Sequence, residues 1–181
     1  MNSYLITIDP PKELIETIDK YRNRYAKYTN YKIPPHITIY PPFYLKKISE
    51  KEILELIKFS LKNTNKHSLN FNSISYFEEG NNVAFFAPNK SSNNFIRQVF
   101  LKVIENLKSR VEDVYNDYKM SVKDFNPHLT IAEQIPDDMF EKFKKELNNT
   151  KENLVFECNS LCLYKQESKS RIWNKVGEIK F

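Results

Sequence analysis

The chain has 181 residues, 40% of them hydrophobic and 14% aromatic, which excludes a disordered chain and is enough for one domain with a proper core. Its 28 basic and 23 acidic residues leave a formal net charge of +5, a mild excess that suits a phosphate-bearing partner or an ordinary soluble protein equally well. No apolar run approaches the roughly 20 residues that span a bilayer, and the N-terminus MNSYLITIDPPKELIE lacks the basic-then-apolar order of a signal peptide, so a cytosolic location without a membrane partner is expected.

In chain order, SYLITI at 3–8 alternates and is rich in β-formers, which predicts a strand. Asp9 then offers an N-cap ahead of two prolines, and Leu14, Ile18, Tyr21 and Tyr25 recur at helical spacing, predicting a helix over 10–27. PPHITIY follows as a strand, stopped by PPF. Ser49-Glu50-Lys51-Glu52 reads as a capping box before Ile53, Leu54, Ile57 and Leu61, a second helix. SLNFNSISYF at 68–77 and VAFFA at 83–87 form a hairpin around the turn EEGNN. A long helix is predicted over 92–118, with Ile96, Val99, Val103, Leu107, Val111 and Val114 on its buried stripe. A strand around PHLTIAE comes next, then a helix from Pro136 with Phe140, Phe143 and Leu147 inward. Two strands, 153–164 and 171–181, close the chain around the polar loop QESKS.

Hairpins and crossovers are mixed in this order, so the fold class is α+β with antiparallel or mixed sheets flanked by helices. From each of two motif strands onward the pattern strand, helix, strand, strand repeats, which predicts one domain, 1–181, built as two pseudo-symmetric lobes. Cys158 and Cys162, read on one strand about 13 Å apart, are expected as buried free thiols rather than a disulfide.

The two motifs are PPHITIY and NPHLTIAEQ. Side chains at i and i+2 of a strand share a face, so His36 projects with Thr38 and His128 with Thr130, while the intervening Ile and Leu anchor the opposite face. The chain holds three histidines and seven threonines. Two of three histidines with a threonine two residues on arise by chance on the order of half a percent of the time. His67 lacks the pattern and is expected at the surface.

Two imidazoles can divide the work of displacement at phosphorus, one removing a proton from the attacking oxygen and the other protonating the departing one. Two hydroxyls can hold the non-bridging oxygens where negative charge gathers. Gly80 and Gly177 are the only glycines, which excludes a glycine-rich phosphate loop. No HExxH or His-x-His pair is present, so no metal and no cofactor are expected; a zinc site from two histidines and a distant acid stays open. Tyr40, on the same strand face as His36 and Thr38, is a candidate either for stacking on a base or for packing against the cleft wall. Lys169 and Arg171 flank the C-terminal loop and are candidates for a phosphate or neighbouring nucleotide. Tyr164 is a weaker candidate, and Phe43 and Tyr44 read as core.

Two His-x-Thr-hydrophobic motifs, each after a proline and about ninety residues apart, resemble the two-histidine (2H) phosphoesterases, which include the bacterial 2′,5′ RNA ligase-like proteins and the cyclic nucleotide phosphodiesterases. The resemblance extends to the N-terminal strand, the PPF after HITIY and the closing pattern SLCLYKQESKSRIWNKVGEIKF. It implies two lobes around a central cleft, with His36 and His128 as acid and base and Thr38 and Thr130 binding phosphate. It also implies a metal-independent hydrolase opening 2′,3′-cyclic phosphates, or making or breaking 2′,5′ phosphodiesters, on RNA ends or small nucleotides. DNA is not an expected partner, and a monomer is the expected state. A catalytically weak RNA- or nucleotide-binding module and a phosphodiesterase for a non-RNA metabolite are the alternatives.

Overall fold

A computed structural model of the chain describes residues 1–28, 33–78, 81–114 and 124–181. Its elements in chain order are β1 (Ser3–Ile8), α1 (Lys12–Arg24), a 3-10 turn (Ala26–Tyr28), β2 (Ile37–Leu45), α2 (Glu50–Ser60), β3 (His67–Phe77) and β4 (Val83–Pro88). They continue as α3 (Lys90–Leu107), β5 (Val111–Asp113), β6 (Leu129–Ala132), α4 (Asp137–Leu147), β7 (Leu154–Cys158), β8 (Ser160–Gln166) and β9 (Trp173–Lys180). The α+β class read from the sequence holds.

All strand pairs are antiparallel, in the order β7-β3-β4-β6-β2-β1-β8-β9, with β5 added beside β2. Only Asn159 separates β7 from β8, yet these strands sit at one end of the order and next to last at the other. The sheet must therefore curl until its ends meet at Asn159, whose carbonyl accepts from the Phe181 N–H. The predicted single strand 153–164 is thus two strands. Cys158 and Cys162 fall in separate apolar clusters as buried free thiols. The first motif strand, β2, lies with β1, β8 and β9; the second, β6, lies with β4, β3 and β7.

Apolar residues on one face join the helices in a continuous core that includes Ile6, Ile8, Ile37, Ile39, Leu129 and Ile131. Ile18 of α1, Ile53 and Ile57 of α2, Phe100 of α3 and Phe140 and Phe143 of α4 close over it. Burying one such side chain contributes about 1.5–3 kcal/mol. The capping box of α2 forms as predicted: Ser49 Oγ accepts from the Glu52 N–H at 3.3 Å and Glu52 Oε2 from the Ser49 N–H at 2.8 Å. Gly177 of β9 lies directly under α2, where an added Cβ would fall 2.5 Å from Leu54 Cδ2.

Four expectations are corrected. Helix α1 starts at Lys12 with Pro11 as an N-cap that makes no side-chain hydrogen bond; Asp9 instead turns its carboxylate toward β8 and β9. Strand β2 runs through Pro41 and Pro42, where the β1–β2 register is irregular, a place in a sheet at which proline is tolerated. Helix α3 ends at Leu107, and Val111 pairs with Leu45 in β5; residues 115–118 of the predicted helix, and residues 79–80 of the predicted turn, lie outside the described residues. His67 is half-buried and stacks on Phe95, with ring centroids 4.6 Å apart.

Candidate active site

Strands β2 and β6 meet at one pair of Cα partners, Ile37 and Leu129. Continuing that antiparallel register by one residue sets His36 opposite Thr130 and Thr38 opposite His128. The two motifs are therefore related by a local two-fold axis through the Ile37–Leu129 pair. Diagonal neighbours in such a ladder stand about 7–8 Å apart, a gap suited to one phosphoryl group.

The symmetry extends to the outer strands. Beside β2, Ile8 partners Ile37, Thr7 partners Thr38 and Ile6 partners Tyr40, which leaves Ile39 as an extra residue. Beside β6, Phe86 partners Leu129, Phe85 partners Thr130 and Ala84 partners Ala132, which leaves Ile131 extra. Each His-x-Thr-Ile run thus carries a β-bulge at its isoleucine.

This bulge corrects one sequence expectation. Cross-strand partners share a face, and Tyr40 partners Ile6, a core residue. Tyr40 is accordingly buried, packs edge-on against Phe43 at 5.3 Å and donates its hydroxyl to Asp113 Oδ1 at 3.0 Å. It does not line the cleft.

Both histidines stand one residue before their strands and are half-buried. The Nδ1–H of His36 donates to the Pro34 carbonyl at 2.8 Å, and that of His128 to the Asn126 carbonyl at 2.7 Å. A carbonyl only accepts, so both rings are assigned the Nδ1–H tautomer, leaving Nε2 to exchange protons with a ligand. The proline preceding each histidine has no N–H and a fixed φ, and both histidines bond the carbonyl two residues back. Burial pushes both imidazoles below their ordinary pKa, against the pull of these carbonyls. On His36 the Asp9 carboxylate also acts upward, while Arg22 and His128 act downward.

His36, Thr38, His128 and Thr130 line one cleft of about 500 Å³ together with Arg22, Glu133 and Trp173. Arg171 lines it as well, whereas Lys169 is exposed on the loop outside it. Arg22 comes from α1, where it is buried and donates from Nη2 to the Ile33 carbonyl at 3.1 Å. Burial raises the Glu133 carboxyl, opposed by Arg22. Gln166 at the end of β8 completes the wall. Tyr164 lies behind the cleft, donating to Asp9 Oδ2 at 2.8 Å.

Sequence reasoning missed Arg22, Glu133, Gln166 and Trp173. For Arg22 a signal existed: an arginine stands on the stripe formed by Ile18, Tyr21 and Tyr25. Among the described residues no three His, Cys, Asp or Glu side chains gather as a group that could hold a metal ion, and no helix is long and apolar enough to cross a membrane.

A curled antiparallel sheet carrying paired His-x-Thr motifs in one cleft defines a 2H phosphoesterase fold. The family model of the 2′-5′ RNA ligase superfamily matches residues 10–170, and the chain belongs to that family. It is 27% identical over 138 residues, 75% of this chain and 72% of the relative, to a Bacillus pumilus protein that carries a phosphoesterase name. A similarly named Staphylococcus aureus protein is 28% identical over 138 residues, 75% of this chain and 73% of the relative. Among solved structures, E. coli LigT in its apo form superposes with a TM-score of 0.65 at 13% identity, covering 99% of this chain and 96% of LigT. LigT complexed with 3′-AMP gives 0.64 at 14% identity, covering 99% and 98%.

Proposed function

We propose that this chain is a phosphoesterase of the 2H type that opens 2′,3′-cyclic phosphates, or makes or breaks 2′,5′ phosphodiesters, on RNA ends or small nucleotides. The observation that carries this reading is the symmetric meeting of the two motifs, with two tautomer-fixed Nε2 atoms and two hydroxyls lining one cleft. One imidazole takes the proton of the attacking water as the oxygen–phosphorus bond forms. The other gives its proton to the ribose oxygen as the bond from phosphorus to that oxygen breaks. Thr38 and Thr130 donate to the non-bridging oxygens, and Arg22 and Arg171 supply positive charge around them.

Nucleotide-sized ligands agree with this reading: LigT has been solved with 3′-AMP and with ATP, and a yeast relative of the fold, Usb1 of Kluyveromyces marxianus, with uridine monophosphate. The test is a panel of 2′,3′-cyclic mononucleotides, 2′,5′-linked dinucleotides and tRNA halves, resolved by chromatography with and without EDTA. Turnover of at least one substrate, unchanged by the chelator, is expected. Binding of these ligands without product between pH 5 and pH 9 would replace the enzyme with a binding module.

A further inference from the structure

The local two-fold axis is broken beyond the two bulges. Each His-x-Thr-Ile run carries its bulge at the isoleucine, so the fifth residue after each histidine holds an equivalent position. After His36 that residue is Pro41, which has no side-chain donor or acceptor; after His128 it is Glu133. The Glu133 side chain lines the cleft together with Arg22, Arg171 and both imidazoles.

A carboxylate in a phosphate-binding cleft repels the ligand's anionic group unless it accepts hydrogen bonds from another part of the same ligand. Nothing in the protein occupies its acceptors: among the described residues Glu133 makes no hydrogen bond and no ion pair. Arg22 acts on it through its charge alone, opposing the rise that burial causes.

Glu133 follows Thr130 by three residues, one of them the bulged Ile131, which sets it about 7–10 Å further along the chain. With Thr130 on a non-bridging oxygen, a carboxylate one ribose-length away meets the base and not the phosphoryl group. That end of the cleft suits a flat ring. Arg22 donates to the Ile33 carbonyl, and Ile33 packs with Trp173 on Leu5, Cys162 and Tyr164, so two apolar side chains border it.

Base edges differ in what they offer a carboxylate. Guanine presents two adjacent donors, N1–H and N2–H, which match the two oxygens. Adenine and cytosine each set one amino donor beside a ring nitrogen that only accepts. Uracil sets a single N–H between two carbonyls. We infer that Glu133 is a specificity residue that accepts from N1–H and N2–H of guanine, so that the cleft selects guanosine 2′,3′-cyclic phosphates and RNA ends that close on guanosine. This rests on the phosphoesterase reading.

The experiment compares kcat/KM for the 2′,3′-cyclic phosphates of guanosine, inosine, adenosine, cytidine and uridine in wild type, Glu133→Gln and Glu133→Asp. Wild type should favour the guanosine substrate over the uridine one roughly 10- to 100-fold, with inosine, which lacks the N2 amino group, between them. Glu133→Gln puts a donor where the guanine edge needs an acceptor, and should cut the guanosine-to-uridine ratio roughly tenfold or more. Glu133→Asp keeps the carboxylate and should keep the order. A wild-type order that is flat or led by another base, or an equal loss on every substrate in Glu133→Gln, would overturn the inference. Trp173 is the only tryptophan of the chain and lines the cleft, so quenching of its fluorescence by 3′-GMP and 3′-UMP reads binding without turnover. Should wild type turn over no substrate yet bind 3′-GMP more tightly than 3′-UMP, with the difference erased in Glu133→Gln, the phosphoesterase reading falls and the guanine site stands. Equal binding of the two nucleotides by wild type would remove the guanine site.

Discussion

Ile37 of β2 and Leu129 of β6 face one another as Cα partners, and the candidate site unfolds symmetrically from that contact. Both side chains are wholly buried while their neighbours on either side line the cleft. A strand that is apolar on one face and carries His and Thr on the other does two jobs at once: the core fixes the backbone, and the backbone fixes the distance between the imidazoles.

The phosphate-holding role assigned to the hydroxyls predicts a graded loss. Thr38→Val and Thr130→Val keep the shape and β-branch but remove the donor, and each should lower kcat/KM about 10²–10³-fold. Thr→Ser at either position should restore much of the rate. Steady-state kinetics on a cyclic mononucleotide check both, and wild-type rates in the valine variants would remove the threonines from the mechanism.

Tyr40 gives the opposite outcome. Tyr40→Phe deletes the hydroxyl that donates to Asp113 but leaves the ring in its core position, so the folded state should lose roughly 1–2 kcal/mol. Activity below the melting range should stay within about twofold of wild type, because truncating a buried hydroxyl outside the cleft removes no substrate contact. A urea melt and an assay on the same sample separate the two effects.

Much of this was legible in the sequence, and the misses have local causes. The alternation of PPHITIY and NPHLTIAEQ exposes the four polar residues of the site, because strand period alone assigns their faces. The same period misplaces Tyr40, since the bulge at Ile39 turns it into the core before a second register shift restores the original alternation at Phe43. Val111 extends the helical stripe of α3 in sequence, but the chain turns at Lys108–Arg110 and the residue pairs in β5 instead. Asn159 bends the chain from β7 to β8 with no glycine or proline to mark it. Glu133, Gln166 and Trp173 reach the cleft from the ends of three different strands, a convergence set by the curl of the sheet and by no local pattern.

Burial of the two imidazoles makes stability depend on pH with a definite sign. Both pKa values are lowered on folding, so as pH falls through the ordinary histidine range, near 6.5, the unfolded chain takes up protons that the folded chain resists. Stability should therefore fall as pH drops below about 6.5. Replacing both histidines by Asn removes this contribution. Urea midpoints of wild type and the double variant should differ more at pH 5 than at pH 7.5, with wild type the more pH-sensitive. Parallel curves would place both rings in a solvent-like setting.

The most direct measurement is turnover of a 2′,3′-cyclic mononucleotide by wild type, His36→Ala and His128→Ala in the presence of EDTA, with a thermal melt of each. Wild type should remain active in the chelator. Each variant should lose at least about 10²–10⁴-fold in rate while melting as a folded protein. If either variant keeps wild-type turnover, two imidazoles do not share the proton transfers here and the account is wrong.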